Sequence, residues 1–214
     1  MNTSIKQKQM PLFDSLKALH GARRDEIVIT AMGTAREWMK LDPHPLDWVF
    51  VPSSMGQATS LGLGLALARP DVNVIVCNGD GGMLMNLGSL VSITAQAPTN
   101  LTILLFDNGI YEVTGAQPTP ASEMSRHDRS SVDFVMMARA AGFSSLFEFD
   151  ELESWRAAIR EVIDAPGPTF AHLSVAPVPE ARGPKSPGPG KPRAKHFAEA
   201  LKAVPITATG TGSV

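Results

Sequence analysis

The apolar positions of this chain fall in short unbroken runs separated by helix-length segments. Residues 26–30, 48–51, 72–77, 101–106, 146–149 and 169–175 are rich in Val, Ile, Leu and Phe and have strand length. Apolar runs without alternation suit strands buried on both faces of a parallel sheet. Between them, residues 10–19, 35–41, 55–68, 83–96, 133–141 and 151–164 read as helices. The helix over 151–164 is plainly amphipathic, with Leu152, Trp155, Ile159, Val162 and Ile163 on one side. Gly33, Pro52, Gly142 and the Pro166-Gly167-Pro168 turn punctuate the elements, and Thr34 and Ser131 or Asp133 are candidate helix caps. The pattern predicts an α/β fold: a doubly wound, mainly parallel sheet of about six strands with helices on both faces.

Two segments depart from this rhythm. The 55–68 helix is built largely from small residues, namely Gly56, Ala58, Ser60, Gly62, Gly64, Ala66 and Ala68, which let it lie close to a sheet or another helix. Its Gly62-Leu63-Gly64 sits inside the helix, not at a strand-to-helix turn, so it does not read as a dinucleotide fingerprint. Residues 109–129 show no periodicity, and connections of that length are usually functional or mobile. The organisation expected is one domain over 1–176 and a Pro/Gly-rich basic arm over 177–214, with a last helix over 194–204.

The chemistry concentrates at two strand ends. The run from Val72 to Cys77 ends in Asn78-Gly79-Asp80-Gly81-Gly82, and the run from Leu101 to Phe106 ends in Asp107-Asn108. One helix joins them, so they form a right-handed βαβ unit with Asp80 and Asn108 at the same carboxyl edge. That is the edge where open α/β sheets bind ligands. A carboxylate, an amide oxygen and a backbone carbonyl just beyond Asn108 would give a hard divalent cation three oxygen ligands, leaving places for phosphate and water. Gly81 and Gly82 open the next helix without a Cβ, where backbone N–H groups favour anions. The plainer alternative is a tight strand-to-helix turn with Asp80 as its cap.

Composition narrows the classes. Of 214 residues, 43% are hydrophobic and 19% charged, with a formal net charge of −2, which is ordinary for a globular chain. No basic run with interleaved aromatics points to nucleic acid, and no apolar stretch reaches membrane-helix length. The polar residues 1–10 do not resemble a secretory signal, and the single cysteine, Cys77, sits in a strand expected to be buried. A cytoplasmic location is the expectation.

Gly79-Asp80-Gly81 followed at this distance by Asp107-Asn108 resembles the signature of thiamine diphosphate enzymes, with Asp107 where the first of two asparagines commonly stands. The likeness extends over roughly 27–175. It implies the thiamine diphosphate-binding fold, with Mg²⁺ held by the side chains of Asp80 and Asn108 and the backbone carbonyl of Ile110. It further implies that Met55, in Ser53-Ser54-Met55-Gly56, is the apolar wedge that bends the cofactor. The Ser53 carbonyl would accept from the aminopyrimidine, and Thr30, Gly33 and Thr34 would cradle the diphosphate alongside Gly79, Gly81 and Gly82. The runs 83–90 and 107–117 look most like the sulfopyruvate and phosphonopyruvate decarboxylases.

That resemblance carries an absence with it. The family's activating glutamate lies on a pyrimidine-binding domain, and no segment here can supply one, so an α-type partner subunit is expected. A homodimer of this chain within a larger hetero-oligomer would then decarboxylate a 2-oxo acid. A carboligase or oxidoreductase subunit, or a non-catalytic homolog that binds the cofactor, remains an alternative. Four further residues could meet an acidic substrate from loops or could be plain surface: His44, Arg126, His127 and Arg129.

Overall fold

The structure, a computed structural model, describes residues 9–50, 54–125, 127, 131–180 and 185–206. Its elements, in order, are β1 (Met10–Pro11), α1 (Leu12–Ala22), β2 (Ile27–Ala31), α2 (Gly33–Trp38), β3 (Asp47–Phe50), α3 (Ala58–Ala68), β4 (Val74–Gly79), α4 (Asp80–Met85), α5 (Gly88–Gln96) and β5 (Leu101–Asp107). There follow β6 (Ile110–Tyr111), a 3-10 turn (Glu112–Thr114), β7 (Gln117–Pro118), α6 (Phe134–Ala141), β8 (Ser145–Phe149), α7 (Leu152–Asp164), β9 (Thr169–Ala176) and α8 (Gly190–Ala203).

The main sheet runs β9-β5-β4-β2-β3, with β8 and β1 sharing the outer edge of β9. All of its pairings are parallel, so the doubly wound expectation holds, with seven strands rather than about six. Alternate residues feed two cores: Val74 and Val76 join the one that includes residues of α3, α5 and α6, while Ile75 and Cys77 join the one made with α1, α2 and α7. Both faces are covered, which explains the unbroken apolar runs. Trp155, fully buried on α7, anchors the second core and donates its indole N–H to the Ser15 carbonyl at 3.0 Å. The chain passes from β2 outward to β3 and returns beyond β2 to β4, which places a topological switch point between β2 and β4.

Four expectations are corrected. The first helix is preceded by a two-residue strand that pairs with the end of β9. The helix expected from Met55 starts three residues later, at Ala58, because Met55 and Gly56 have positive φ values of 44° and 82°. The single helix expected over 83–96 is two, broken at Asn86-Leu87. There the Asn86 amide donates to the Gly56 carbonyl at 3.1 Å and lies 3.3 Å from Ser60 Oγ. The last helix starts at Gly190, and its Phe197 packs edge-on against Trp48 within the core, so the arm folds back on the domain. Arg69 fixes its far end by donating to the carbonyls of Leu201 and Val204.

Candidate active site

A cavity of about 270 Å³ opens at the carboxyl ends of β2, β4 and β5, at the switch point. Asp80 is the first residue of α4 and is only 2% exposed. Its carboxylate accepts from the Thr119 hydroxyl at 3.0 Å and from the backbone N–H groups of Asn108 and Gly81. These donors are neutral. Burial, and then the nearby charge of Asp107, push its pKa up to about 7, against the pull of those three hydrogen bonds. A carboxylate held here without a countercharge among the described residues suits a bound cation.

Asn108 lies beside it at the end of β5. Its side-chain oxygen accepts from Ile110 N at 3.1 Å, and Asp107 Oδ1 accepts from Gly109 N at 3.0 Å, so two successive side chains shape the turn. Ile110 lines the cavity, and the short β6–β7 hairpin that starts with it returns the chain to Thr119. Thr119 is fully buried and its N–H donates to the Gly109 carbonyl at 2.8 Å. The unpatterned stretch therefore folds back to clamp Asp80, a role no sequence signal marked.

The glycines have a second reason to be glycine. A Cβ on Gly81 would stand 2.6 Å from the Tyr111 ring, and one on Gly82 would stand 2.6 Å from Asn78 Oδ1. The chain's own packing demands them, besides any anion. Gly33 is less constrained, since the atom 2.6 Å from its Cβ direction is Glu112 Oε2, the far end of a flexible side chain. Glu112 lines the cavity but is engaged: it pairs with Arg36 at 3.3 Å and accepts from Val178 N at 3.1 Å.

Met55 is not core. It is 64% exposed at the cavity wall in the left-handed backbone region, which costs a non-glycine residue about 1 kcal/mol or more. The turn is held from below: a Cβ on Gly56 would stand 2.8 Å from Asn86 Cβ, so the turn lies directly on α4.

Gly33, Thr34, Met55, Gly79, Asp80, Gly81, Gly82, Asn108 and Ile110 all line this one cavity. Thr30 does not; it is buried in β2, one residue short of the edge. The Thr34 hydroxyl accepts from Ala31 N and lies 2.9 Å from the carbonyls of Ala31 and Cys77, so only its backbone remains free to meet a ligand. Ser53, Arg126 and Arg129 lie outside the described residues. His44 lines a different groove, beside Trp48 and α8, and His127 is exposed and away from the cavity walls.

The model of the "thiamine pyrophosphate enzyme, C-terminal TPP binding domain" matches residues 30–173. The chain belongs to the thiamine pyrophosphate enzyme family. It is 36% identical over 165 residues to the sulfopyruvate decarboxylase subunit beta of Methanothermobacter thermautotrophicus, covering 77% of this chain and 81% of that one. It is also 36% identical to the phosphonopyruvate decarboxylase of Streptomyces viridochromogenes, over 72% of this chain but only 36% of that one. Among solved structures, the thiamine diphosphate-dependent 4-hydroxybenzoylformate decarboxylase of Rhodococcus jostii superposes with a TM-score of 0.62 at 20% identity, over 82% of this chain and 34% of that one. The chain thus spans most of a beta subunit and about a third of the single-chain enzymes.

As the family's TPP-binding domain, the site fits its cofactor. A buried carboxylate, an amide oxygen and glycines at a strand-to-helix turn meet at one end of the cavity, and an exposed methionine on a strained turn stands in its wall.

Proposed function

We propose that this chain is the thiamine diphosphate- and Mg²⁺-binding subunit of a 2-oxo acid decarboxylase of the sulfopyruvate or phosphonopyruvate kind. A separate α-type subunit carrying the pyrimidine-binding half completes it, around a homodimer of this chain. The observation that carries this reading is the likeness to a beta subunit: 36% identity over 77% of this chain and 81% of the sulfopyruvate decarboxylase subunit beta.

The site supports the division of labour. Asp80, Asn108 and the Ile110 carbonyl would hold Mg²⁺, and the backbone at Gly33, Thr34, Gly81 and Gly82 would meet the diphosphate. Met55 would support the rings. When bound, the cofactor supplies a thiazolium carbon that adds to the 2-oxo acid and takes up the electron pair as CO₂ leaves. Among the described residues, the carboxylates on the cavity wall are Asp80 and Glu112. One is assigned to the metal and the other is tied to Arg36 and Val178. Neither is free to activate the pyrimidine, and on this reading that carboxylate comes from the partner.

The chain alone should bind thiamine diphosphate with Mg²⁺ and release no CO₂ from sulfopyruvate or phosphonopyruvate. Adding the α-type subunit should produce CO₂ and the corresponding aldehyde. Turnover by the chain alone, or none with any partner subunit, would refute the proposal. Thr119→Val removes a hydrogen bond to a charged group, an interaction of about 1.5–3 kcal/mol. Calorimetry should show Mg²⁺-dependent cofactor affinity falling roughly tenfold, with little change when Mg²⁺ is omitted.

A further inference from the structure

Behind the metal turn, Asp107 has both carboxylate oxygens engaged. Oδ1 takes the Gly109 N–H, and Oδ2 lies 3.1 Å from Nε2 of His172. His172 projects from the middle of β9, is 7% exposed, and stacks on Phe134 with ring centroids 6.3 Å apart. On its other side, Nδ1 lies 3.3 Å from Glu148 Oε1, at the register position opposite on β8. Three neighbouring strands thus align carboxylate, imidazole and carboxylate across the sheet.

Shape alone does not explain this arrangement. A neutral amide at position 107 would accept the Gly109 N–H equally well. A carboxylate there places a second negative charge beside Asp80, and that charge contributes to the raised pKa of Asp80. Burial disfavours a charged imidazole at position 172, but the hydrogen bond and charge of Asp107, with the charge of Glu148, outweigh it and raise its pKa. The fold therefore sets a hydrogen-bonding imidazole, stacked on Phe134, against the back of the metal turn.

We propose that His172 is a positioning residue for the cofactor turn: through its hydrogen bond to Asp107 it fixes the Asn108–Ile110 backbone. This rests on the metal and cofactor assignment above. His172 does not line the cavity, and its effect passes entirely through Asp107. His172→Leu leaves Asp107 with an unpartnered, half-buried oxygen at the turn that presents Asn108.

The test is a double-mutant cycle read by calorimetric titration of thiamine diphosphate into the full-length chain with Mg²⁺, alongside thermal melts. His172→Leu should weaken binding about tenfold. His172→Gln, which keeps a donor for Asp107, should recover affinity to within about threefold of wild type. Whatever Asp107→Asn costs by itself, adding His172→Leu to it should cost less than a further twofold, since the carboxylate oxygen that His172 serves is gone. Equal losses in both backgrounds, or a loss that follows melting temperature in every variant, would overturn the proposal by making His172 purely structural. Absence of Mg²⁺-dependent binding in the wild type would instead overturn the cofactor reading on which it depends.

Discussion

Asp80→Asn is expected to lower Mg²⁺-dependent thiamine diphosphate affinity by at least a hundredfold and, at pH 8, to raise the melting temperature of the cofactor-free chain. The two effects have one cause. Asp80 is buried among neutral donors and its pKa is pushed up from 3.8 to about 7. Between pH 4 and 7 the folded chain keeps this proton and the unfolded chain has lost it. Stability therefore falls as pH rises through that window, and above pH 7 the full penalty remains. A shift of about three pH units corresponds to on the order of 4 kcal/mol. The amide introduced by the substitution would keep the Thr119 contact without that charge. At pH 5, only about one pH unit into that window, the gain should shrink to less than half of its value at pH 8. A bound divalent cation removes the same penalty, so metal loading should release about one proton below pH 7 and almost none at pH 9. Titrations in buffers of different ionisation enthalpy read that proton directly. Unchanged cofactor affinity in Asp80→Asn would rule out the metal assignment. A variant destabilised equally at both pH values would show that Asp80 serves packing alone. The site is then a place where binding is favoured at the expense of stability.

The frame of the fold was legible because both faces of the sheet are covered. Continuous apolar runs located β2, β4, β5 and β9 to within two residues at either end, and one crossover helix placed Asp80 and Asn108 on the same edge. What escaped depends on contacts between segments distant in sequence. Asn86 leaves the helical path to bond the Gly56 turn 30 residues away, and the hydrophobic pattern of the surrounding segment continues through the break. Thr119 reaches Asp80 from a stretch without periodicity. The Pro-rich arm looked solvated because its helix has a single strongly buried residue, Phe197, whose partner Trp48 is on the far edge strand. His44 stood out by its prolines, but its loop leads into β3 at the sheet's edge, where it lines a groove with Arg193 and His196 instead of the cavity. Thr30 was placed one residue too near the edge because β2 continues to Ala31.

Gly62→Val should destabilise the fold from outside the cavity and still reach the site. Gly62 lies in α3, where a Cβ would stand 2.3 Å from Val76 Cγ2 on β4 and 3.4 Å from Leu101 Cδ1 on β5. Real Cβ atoms do not approach so closely, so the helix must lift or Val76 must move. Val76 is fully buried between two other strands, which leaves it no room to yield. Overpacking of this kind costs typically 1–3 kcal/mol, and the better helix propensity of valine returns only a few tenths. A net loss of about 2 kcal/mol should lower the melting temperature by roughly 4–8 °C in a chain of this size. The displacement should also reach the site. α3 begins just after the Met55-Gly56 turn, Thr59 bonds Ser89 at 2.9 Å, and Gly56 already sits against α4. Lifting α3 would pull that turn away from the cavity wall and weaken cofactor binding. Gly64→Val is the control: nothing lies within 4 Å of its Cβ direction, so it should leave both melting temperature and affinity nearly unchanged. If the two variants behave alike, α3 is not held against the sheet by Gly62. If only Gly62→Val fails, the run of small residues is what lets this helix carry Met55 to the cavity wall.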